Sequence, residues 1–502
     1  MLNRVGCQRD GYGHVLLVLS VLLLVGCSGG GLAATPGTTV SLVFSEQDEA
    51  SATSERAGSE PSIATPSSSA PDVAALCSSS ADAQVVRVWE VLGGDVARDA
   101  YQKLVEQFNQ NQTLVEVESE NIEGGSEQLL ERLQQTDPSS WPDIVVMQPQ
   151  ALRRLIDSGR IIPPAACASE MRVARTDADL LPSVRAAFSF DGELQAFPFG
   201  VSTPVLLYDA AEFRRAGLDP SDPPTSLGDV ATASALLVSS GVSPRGLIAY
   251  DWYGAFLINQ TAAQRGDLVA TPVNGRRDGP MRVDFATPTN IAMLNWLTDV
   301  IDVDGGVYIG GVPSGLEDLT KIVDPVDGGV MSIHTSGSLG DLIRYLEAGS
   351  FPGVELGVGP MPGPAPGGLV GGNGLWLLDH GDAARAGAAF GFATWITAPS
   401  QLAEFIALTG YIPPSQAVAA QAAVQSAWDL YPQLRVGFDQ LEAMNDSDAA
   451  AGPVYGPSIE IDYLFYGATN RVVVDRVDPK QVLTELSNDV NRLLDQYDAL
   501  AP

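Results

Sequence analysis

The chain of 502 residues has few cysteines, few histidines and few basic side chains for its length. Its 28 lysines and arginines face 61 aspartates and glutamates, which gives a formal net charge of -33. Nucleic-acid-binding proteins need a basic surface, so this charge argues against DNA or RNA as a partner. No His-Glu-x-x-His or Cys-x-x-Cys spacing, phosphate-binding loop or dinucleotide motif occurs either. The sequence therefore predicts no metal and no cofactor.

Long apolar runs are also lacking after the first 27 residues. The run Val15–Val25 follows two arginines and is too short to cross a membrane, which is typical of a secretory signal. It ends in Leu-Val-Gly-Cys, which resembles a bacterial lipobox and predicts that Cys27 is diacylated. We expect residues 1–27 to be a signal peptide and the protein to be secreted and lipid-anchored to the outer face of the cytoplasmic membrane. An ordinary signal peptide with an incidental Cys27 is the alternative.

Residues 28–84 are rich in Ser, Thr, Ala, Gly and Pro and show no lasting helix or strand period. Such a segment buries too little apolar surface to offset its ordering entropy, so we expect a disordered tether. About 420 residues remain, which suits two lobes of ordinary domain size.

Only two cysteines, Cys77 and Cys167, lie beyond the leader and Cys27. An oxidising compartment and an even number of cysteines favour a disulfide between them. Two unpaired thiols are the alternative, because the sequence does not show that their Cα atoms come within reach.

Hydrophobic periodicity predicts alternating strands and helices from Val85 onward. Strand patterns at 85–89, 115–117 and 143–147 alternate with helical patterns around Leu104 and Leu130. Strands that alternate with helices of this length predict an α/β fold with parallel sheets. Ligands of such folds bind at the carboxyl ends of the strands.

Five motifs in order give the chain a resemblance to a known family. They are Phe-Gly-Val-Ser-Thr-Pro at 199–204, Phe-Arg-Arg-Ala-Gly-Leu-Asp-Pro at 213–220, Thr-Ser-Gly-Ser-Leu at 335–339, Gly-Gly-Asn-Gly-Leu-Trp at 371–376 and Thr-Gly-Tyr-Ile-Pro at 409–413. In this order the chain resembles the extracellular solute-binding proteins of ABC importers, in the branch that takes up sugars and glycerol phosphates or glycerophosphodiesters.

The resemblance implies a two-lobe periplasmic-binding-protein-like fold with a ligand cleft between the lobes. Lobe 1 would contain residues 85–200 and about 325–380, and lobe 2 about 201–324 and 381–502. It also implies a monomer that closes on a sugar, polyol or glycerol-phosphate-type ligand and delivers it to ABC permease subunits.

Polyol recognition needs hydroxyl or amide partners and aromatic walls, and the resemblance places such residues in the cleft. The predicted ligand-binding residues are Trp89, Ser202, Trp252, Ser336, Ser338, Gly372, Tyr411 and Tyr455. Alternatives stay open: core packing for the two tryptophans, helix capping for the two serines near 337, a turn at Gly372 and a structural role for Tyr455.

Three positions depart from the glycerol-phosphate binders. Their tyrosine before the second helix is replaced by Gly-Ser-Glu at 125–127, and their acidic residue after the third strand by Gln148. The loop that carries their basic residue reads Gly-Pro-Val-Tyr-Gly at 452–456. Without that cation a phosphate loses its charge-assisted contact, which favours a neutral sugar or polyol.

Two other classes remain as alternatives. A secreted glycoside or ester hydrolase would need a catalytic pair or triad, and the nearest motif, at 336–340, begins with Ser336 where a nucleophile elbow needs glycine. A lipoprotein that only scaffolds other proteins would share the leader and the tether. The sequence identifies no catalytic residue.

Overall fold

The computed structural model describes residues 76–172, 179–250, 252–309, 329–444 and 447–500. The predicted signal peptide, Cys27 and most of the predicted tether lie outside the described residues. None of the helices in the described ranges combines the length and the apolar character that a bilayer crossing requires.

The strands are short and fall into two main sheets and two small hairpins. In chain order they are β1 (Gln84–Glu90), β2 (Val115–Asn121), β3 (Ile144–Met147), β4 (Ile161–Ile162), β5 (Ser189–Phe190), β6 (Glu193–Leu194), β7 (Phe197–Ser202), β8 (Pro204–Asp209), β9 (Leu247–Tyr250), β10 (Ala270–Thr271), β11 (Arg282–Val283), β12 (Val307–Ile309), β13 (Met331–Thr335), β14 (Leu356–Pro360) and β15 (Gly371–Leu378).

Helices cover both sheets and make up most of the C-terminal part. They are α1 (Asp95–Asn111), α2 (Ser126–Gln135), α3 (Leu152–Asp157), α4 (Pro164–Glu170), α5 (Pro182–Ala187), α6 (Ala210–Ala216), α7 (Leu227–Ser239), α8 (Tyr253–Arg265), α9 (Pro288–Asp302), α10 (Leu339–Glu347), α11 (Ala383–Ile396), α12 (Pro399–Thr409), α13 (Gln416–Ala419), α14 (Ala422–Leu430), α15 (Val436–Glu442), α16 (Asp448–Ala451), α17 (Ser458–Val473) and α18 (Pro479–Leu500). Short 3₁₀ turns occupy Pro138–Ser140, Pro149–Ala151, Val273–Gly275, Ser336–Ser338 and Pro432–Arg435.

The first sheet has the order β2-β1-β3-β15-β4, and β7 also pairs with β15. β1 runs parallel to β2 and β3, as the alternation of strands and helices predicts. β15 is antiparallel to β3, β4 and β7, so the sheet is mixed and not purely parallel. The difference arises because β15 returns to this sheet from the second one and runs against its neighbours.

The second sheet has the order β12-β9-β13-β8-β14. β13 pairs in parallel with β9 and antiparallel with β8, which also pairs antiparallel with β14. This pairing differs from the predicted lobe boundary, because residues 331–360 were assigned to lobe 1 and their strands belong to the second sheet. The chain returns to the first sheet at β15, beyond residue 370.

Thr203 is the single residue between β7 of the first sheet and β8 of the second. Its side chain is buried, and its backbone N–H donates to Ser336 Oγ at 3.1 Å. Its hydroxyl donates to the Leu369 carbonyl at 3.0 Å and accepts a bond from Gln440 Nε2 at 2.9 Å. Ser336 N–H donates back to the Thr203 carbonyl at 2.9 Å. This crossover therefore has all its polar groups paired, as buried backbone requires.

The described residues include 76–84, which lie before the predicted end of the tether at residue 84. Cys77 is buried and joined to the buried Cys167 by a disulfide whose Cα atoms lie 5.2 Å apart. The Cys77 N–H also donates to Glu170 Oε2 at 2.6 Å, and the Ser78 N–H donates to the Ala383 carbonyl at 2.7 Å. The disulfide closes a sequence separation of 90 residues, a length at which such a bond restricts the unfolded chain strongly.

The buried face of α1 is the one that its periodicity predicts. Tyr101, Leu104, Val105 and Phe108 are all buried. The Phe108 ring packs edge-on against Phe392 of α11, with centroids 5.0 Å apart. These contacts fix the position of α1, and therefore of its first turn, on the first sheet.

One buried titratable side chain makes a pH-dependent contribution to stability. His334 lies in β13, is 9% exposed, and burial lowers its pKa from 6.5 to about 4. Between these values the unfolded chain binds a proton that the folded chain does not, so folding stability falls as the pH decreases from 6.5 to 4. Above pH 6.5 both states hold the neutral ring and the effect vanishes.

We expect His334→Gln to remove this pH-dependent contribution to the free energy of unfolding. The free energy of unfolding of the natural protein should fall relative to the variant by about 3 kcal/mol between the two pKa values. Urea denaturation of both proteins across this pH range measures the difference. Parallel curves would show that His334 takes up its proton equally in the folded and the unfolded chain.

Candidate functional site

A cavity of about 440 Å³ lies where the carboxyl ends of β1, β3 and β13 meet the start of β15. Its volume is in the range of small-molecule sites, and its position is the one that α/β sheets use for ligands. The residues that line it are Val91, Gly93, Gly94, Asp95, Arg98, Gln148, Ser202, Thr335, Gly337, Ser338, Asp341, Tyr345, Gly372, Asn373 and Tyr411. Segments that follow strands of both sheets therefore line the same cavity.

Tyr411 provides an aromatic wall of the cavity between two glycines. A Cβ added at Gly200 would lie 3.3 Å from the Tyr411 ring, and one added at Gly337 would lie 2.8 Å from it. The ring also stacks on Phe405 at 5.5 Å between centroids. Burial, together with the negative charges of Asp341 and Glu90, raises the pKa of Tyr411 to about 12. Its hydroxyl therefore stays protonated and can donate a hydrogen bond to a ligand.

Ser202 and Gly372 lie next to each other because β7 pairs with β15. Ser202 is registered against Gly371, and Val201 against Gly372. Gly372 has a φ of +81°, and a Cβ there would collide with the Gly200 carbonyl. Only glycine lets the two strands approach so closely beside the cavity. The same strand end places Asn373 in the lining and close enough to hydrogen-bond the Tyr411 hydroxyl.

Four charged side chains form a network at the cavity. Arg98 pairs with Asp95 at 2.5 Å, and Arg344 lies 3.6 Å from Asp95 and 3.4 Å from Asp341. Asp95 and Arg98 belong to α1, which covers the first sheet, whereas Asp341 and Arg344 belong to α10, which follows β13 of the second. The network therefore links the two sheets. Burial raises the pKa of the Asp341 carboxyl, although the Val96 N–H and Arg344 oppose that shift.

Glu90 is a further carboxylate close to the cavity, at the end of β1. Its side chain is completely buried, and Oε2 accepts bonds from the Leu92 N–H at 2.7 Å and from Asn121 Nδ2 at 3.0 Å. Oε1 has no hydrogen-bond partner. Burial raises the pKa of Glu90.

Four of the residues predicted from the sequence meet in this cavity: Ser202, Ser338, Gly372 and Tyr411. They come from β7, the turn before α10, β15 and the segment after α12, so the fold brings together positions that are far apart in the chain.

Ser336 is 1% exposed, and its hydroxyl accepts the Thr203 N–H, so it holds the crossover between the sheets and does not line the cavity. Neither predicted serine caps a helix. Thr335 caps the 3₁₀ turn through its hydroxyl, and Ser338 precedes α10 without a side-chain capping bond.

The predicted aromatic residues other than Tyr411 lie outside this cavity. Trp89 is 9% exposed in β1, with the Arg132 guanidinium 4.1 Å above its ring. Trp252 stacks on Tyr250 at 5.6 Å, and its indole N–H is buried without a hydrogen-bond partner. Tyr455 is 7% exposed, and its hydroxyl likewise has no partner. Ligand contacts by these three residues stay a prediction.

Sequence reasoning missed most of the charged and glycine lining, notably Gly94, Asp95, Arg98 and Asp341. A signal was present at 93–95, where a Gly-Gly-Asp sequence follows a strand and begins a helix. Asp341 gave only the weak signal of an acidic residue in a first helical turn. Among the described residues no group of His, Cys, Asp and Glu could hold a metal ion.

Comparison with known proteins gives a family match over most of the folded chain. The family described as bacterial extracellular solute-binding protein matches residues 103–432. The sn-glycerol-3-phosphate-binding periplasmic protein UgpB of Pectobacterium atrosepticum is 24% identical over 433 residues, which cover 84% of this chain and 94% of that protein. Its counterpart in Yersinia pseudotuberculosis is 26% identical over 366 residues, which cover 70% of this chain and 79% of that one.

Solved structures share the fold at low sequence identity. UgpB from Mycobacterium tuberculosis in complex with glycerophosphocholine has a TM-score of 0.65 and 18% identity, and covers 83% of this chain and 99% of its own. The cyclic alpha-maltosyl-1,6-maltose binding protein from Arthrobacter globiformis has a TM-score of 0.63 and 19% identity, with coverage of 82% and 100%. These likenesses show a two-domain α/β binding-protein fold.

The glycine beside Ser202 gives a direct test of the cavity wall. Gly372→Ala should lower the free energy of unfolding by about 2 kcal/mol, because the added Cβ meets the Gly200 carbonyl and the positive φ disfavours alanine. Gly391→Ala is the matched control, because this glycine is exposed in α11 with nothing near its Cβ position. Alanine there should raise the free energy of unfolding, by about 1 kcal/mol at most. Chemical denaturation measures both, and equal effects would contradict the close approach at Gly372.

Proposed function

The chain belongs to the bacterial extracellular solute-binding proteins, and from that premise we propose that it captures a small polar solute for an ABC importer. The ligand is a sugar, a polyol or a glycerol-phosphate-type compound, held in the cavity between the two sheets. A membrane permease then receives it. The relatives support this class of ligand, because their names record binding of glycerol-3-phosphate, glycerophosphocholine and a cyclic maltosyl-maltose.

The main support for this proposal is that the residues lining the cavity come from segments of both sheets. Ser202, Gly372 and Tyr411 approach from the first sheet and its connections, and Ser338 approaches from the segment after β13 of the second. A ligand that bonds to both groups stabilises the arrangement in which they face each other. Binding energy is thereby converted into domain closure, the state that a permease recognises.

The chemistry of the lining suits an uncharged polyhydroxy compound. Serine hydroxyls, the Asn373 and Gln148 amides and the glycine backbone offer donors and acceptors, and the Tyr411 ring offers an apolar wall. Such a set binds and orients a ligand, and it contains no histidine to activate a nucleophile.

A hydrolase is the weaker alternative. The hydroxyl of Ser336, in the motif nearest a nucleophile elbow, is buried and accepts the Thr203 N–H. Asp95, a carboxylate of the cavity lining, is paired with Arg98 and Arg344. These contacts favour a binding protein that performs no catalysis.

We also propose that the protein is lipid-anchored through Cys27 outside the cytoplasmic membrane, after removal of residues 1–26, and acts as a monomer. The leader sequence supports secretion. The Cys77–Cys167 disulfide supports an oxidising, extracytoplasmic compartment.

A thermal-shift screen against sugars, polyols, glycerol-3-phosphate and glycerophosphocholine tests the function. Ligand at a hundredfold above its dissociation constant should add about 2.7 kcal/mol of stability. The affinity for the most strongly stabilising compound should fall about tenfold or more in the Ser202→Ala, Tyr411→Phe double variant, which loses the hydroxyls of two residues that line the cavity.

Ser239→Ala is the control, because this serine lies exposed near the end of α7, outside the cavity lining. Its affinity should equal that of the natural protein. Undiminished affinity in the double variant would move the binding site elsewhere, and the absence of any shift with the whole panel would contradict the proposed ligand class.

A further inference from the structure

Two helices point their N-termini at the cavity, and each carries a carboxylate in its first turn. α1 has Asp95 there, and α10 has Asp341. Both side chains line the cavity. A helix N-terminus attracts negative charge through its free N–H groups and its dipole, so the two helices would otherwise favour an anionic ligand. Here the carboxylates of Asp95 and Asp341 already supply negative charge at the two helix ends.

Asp341 does more than neutralise its own helix. α1 begins after Gly94, which has no side chain to cap it, and Asp341 Oδ1 accepts a long hydrogen bond of 3.5 Å from the Val96 N–H. A Cβ at Gly94, which has a φ of +80°, would collide with Asp341 Oδ2. The glycine therefore allows a carboxylate from the other side of the cavity to occupy the end of α1.

The positive charges near the cavity are already engaged. Arg98, the only lysine or arginine among the described residues of the lining, pairs with Asp95. Arg344 lies between Asp95 and Asp341. With the buried Glu90 behind them, three carboxyl groups face two guanidinium groups. An added phosphate would meet helix ends that are already filled and cations that are already paired.

We propose that Asp341 determines the ligand class of this cavity: its carboxylate fills the anion-accepting end of α1, so the site admits uncharged sugars or polyols and rejects phosphate esters. This inference rests on the proposed function and narrows it. The carboxylate takes the place that a ligand phosphate would need at the helix end. A residue that only joined the two sides of the cavity would affect charged and neutral ligands equally.

The test uses inorganic phosphate and glycerol-3-phosphate as probes on the full chain. The natural protein should show the same melting temperature in phosphate as in chloride at equal ionic strength. Asp341→Asn keeps the shape and removes the charge, so Arg344 keeps Asp95 beside it but loses its second carboxylate. The affinity of this variant for glycerol-3-phosphate should therefore rise about tenfold or more over the natural protein. Asp341→Ser serves as a second variant if the amide disturbs folding.

Asp299→Asn is the matched control, since this aspartate is exposed on α9 and outside the cavity lining. It removes the same charge and should leave the affinity for phosphate compounds unchanged. The inference is overturned if the natural protein binds glycerol-3-phosphate as tightly as Asp341→Asn does, or if neither Asp341 variant has a higher affinity for glycerol-3-phosphate than the natural protein.

The same experiment distinguishes failure of the proposed function from failure of the proposed role of Asp341. In one outcome, no neutral sugar or polyol stabilises the natural protein, while phosphate compounds still bind to the Asp341 variants. The role of Asp341 in excluding phosphate then stands, and the proposed neutral ligand class fails. If neutral ligands bind and the Asp341 variants do not differ from the natural protein, the function stands and the role of Asp341 fails.

Discussion

The hydrogen bonds around Thr203 are the constraint on which the two-sheet arrangement depends. One residue separates β7 from β8, and its backbone and hydroxyl bond to Ser336, Leu369 and Gln440. Those partners belong to the turn after β13, to the segment that returns to β15, and to α15. Loss of one partner would leave a buried polar group unpaired, at a cost of about 1–3 kcal/mol. The crossover thus sets how the turn before α10 faces the end of β1.

Given that crossover, the cavity follows from the direction of the strands. β1, β3 and β13 end on one side, so the turns that follow them meet there, and β15 starts in the same place because it runs antiparallel to β3. Glycines at 94, 337 and 372 then let a carboxylate, a tyrosine ring and a neighbouring carbonyl come close. The resulting site has hydroxyls and an aromatic wall, while its charges are paired with one another.

The sequence predicted this architecture to the extent that it depends on local pattern. The faces of α1 and the strands of the first α/β units are confirmed, because a period of 3.6 or 2 records burial on one side. Ser202, Ser338, Gly372 and Tyr411 line one cavity, and their contact with a ligand stays a prediction. The return at β15, and the meeting of Asp341 with Gly94 across 247 positions, depend on long-range pairing that no local pattern records. Trp89 shows the same limit, since Arg132 covers its ring.

We infer that elements of both sheets hold one small polar solute at the same time. A crystal structure of the complex with the sugar or polyol that stabilises the protein most tests it directly. We expect density in the cavity, with the ligand in contact with Tyr411 on one side and Ser338 on the other. A ligand bound elsewhere, or one that touches elements of a single sheet only, would contradict it.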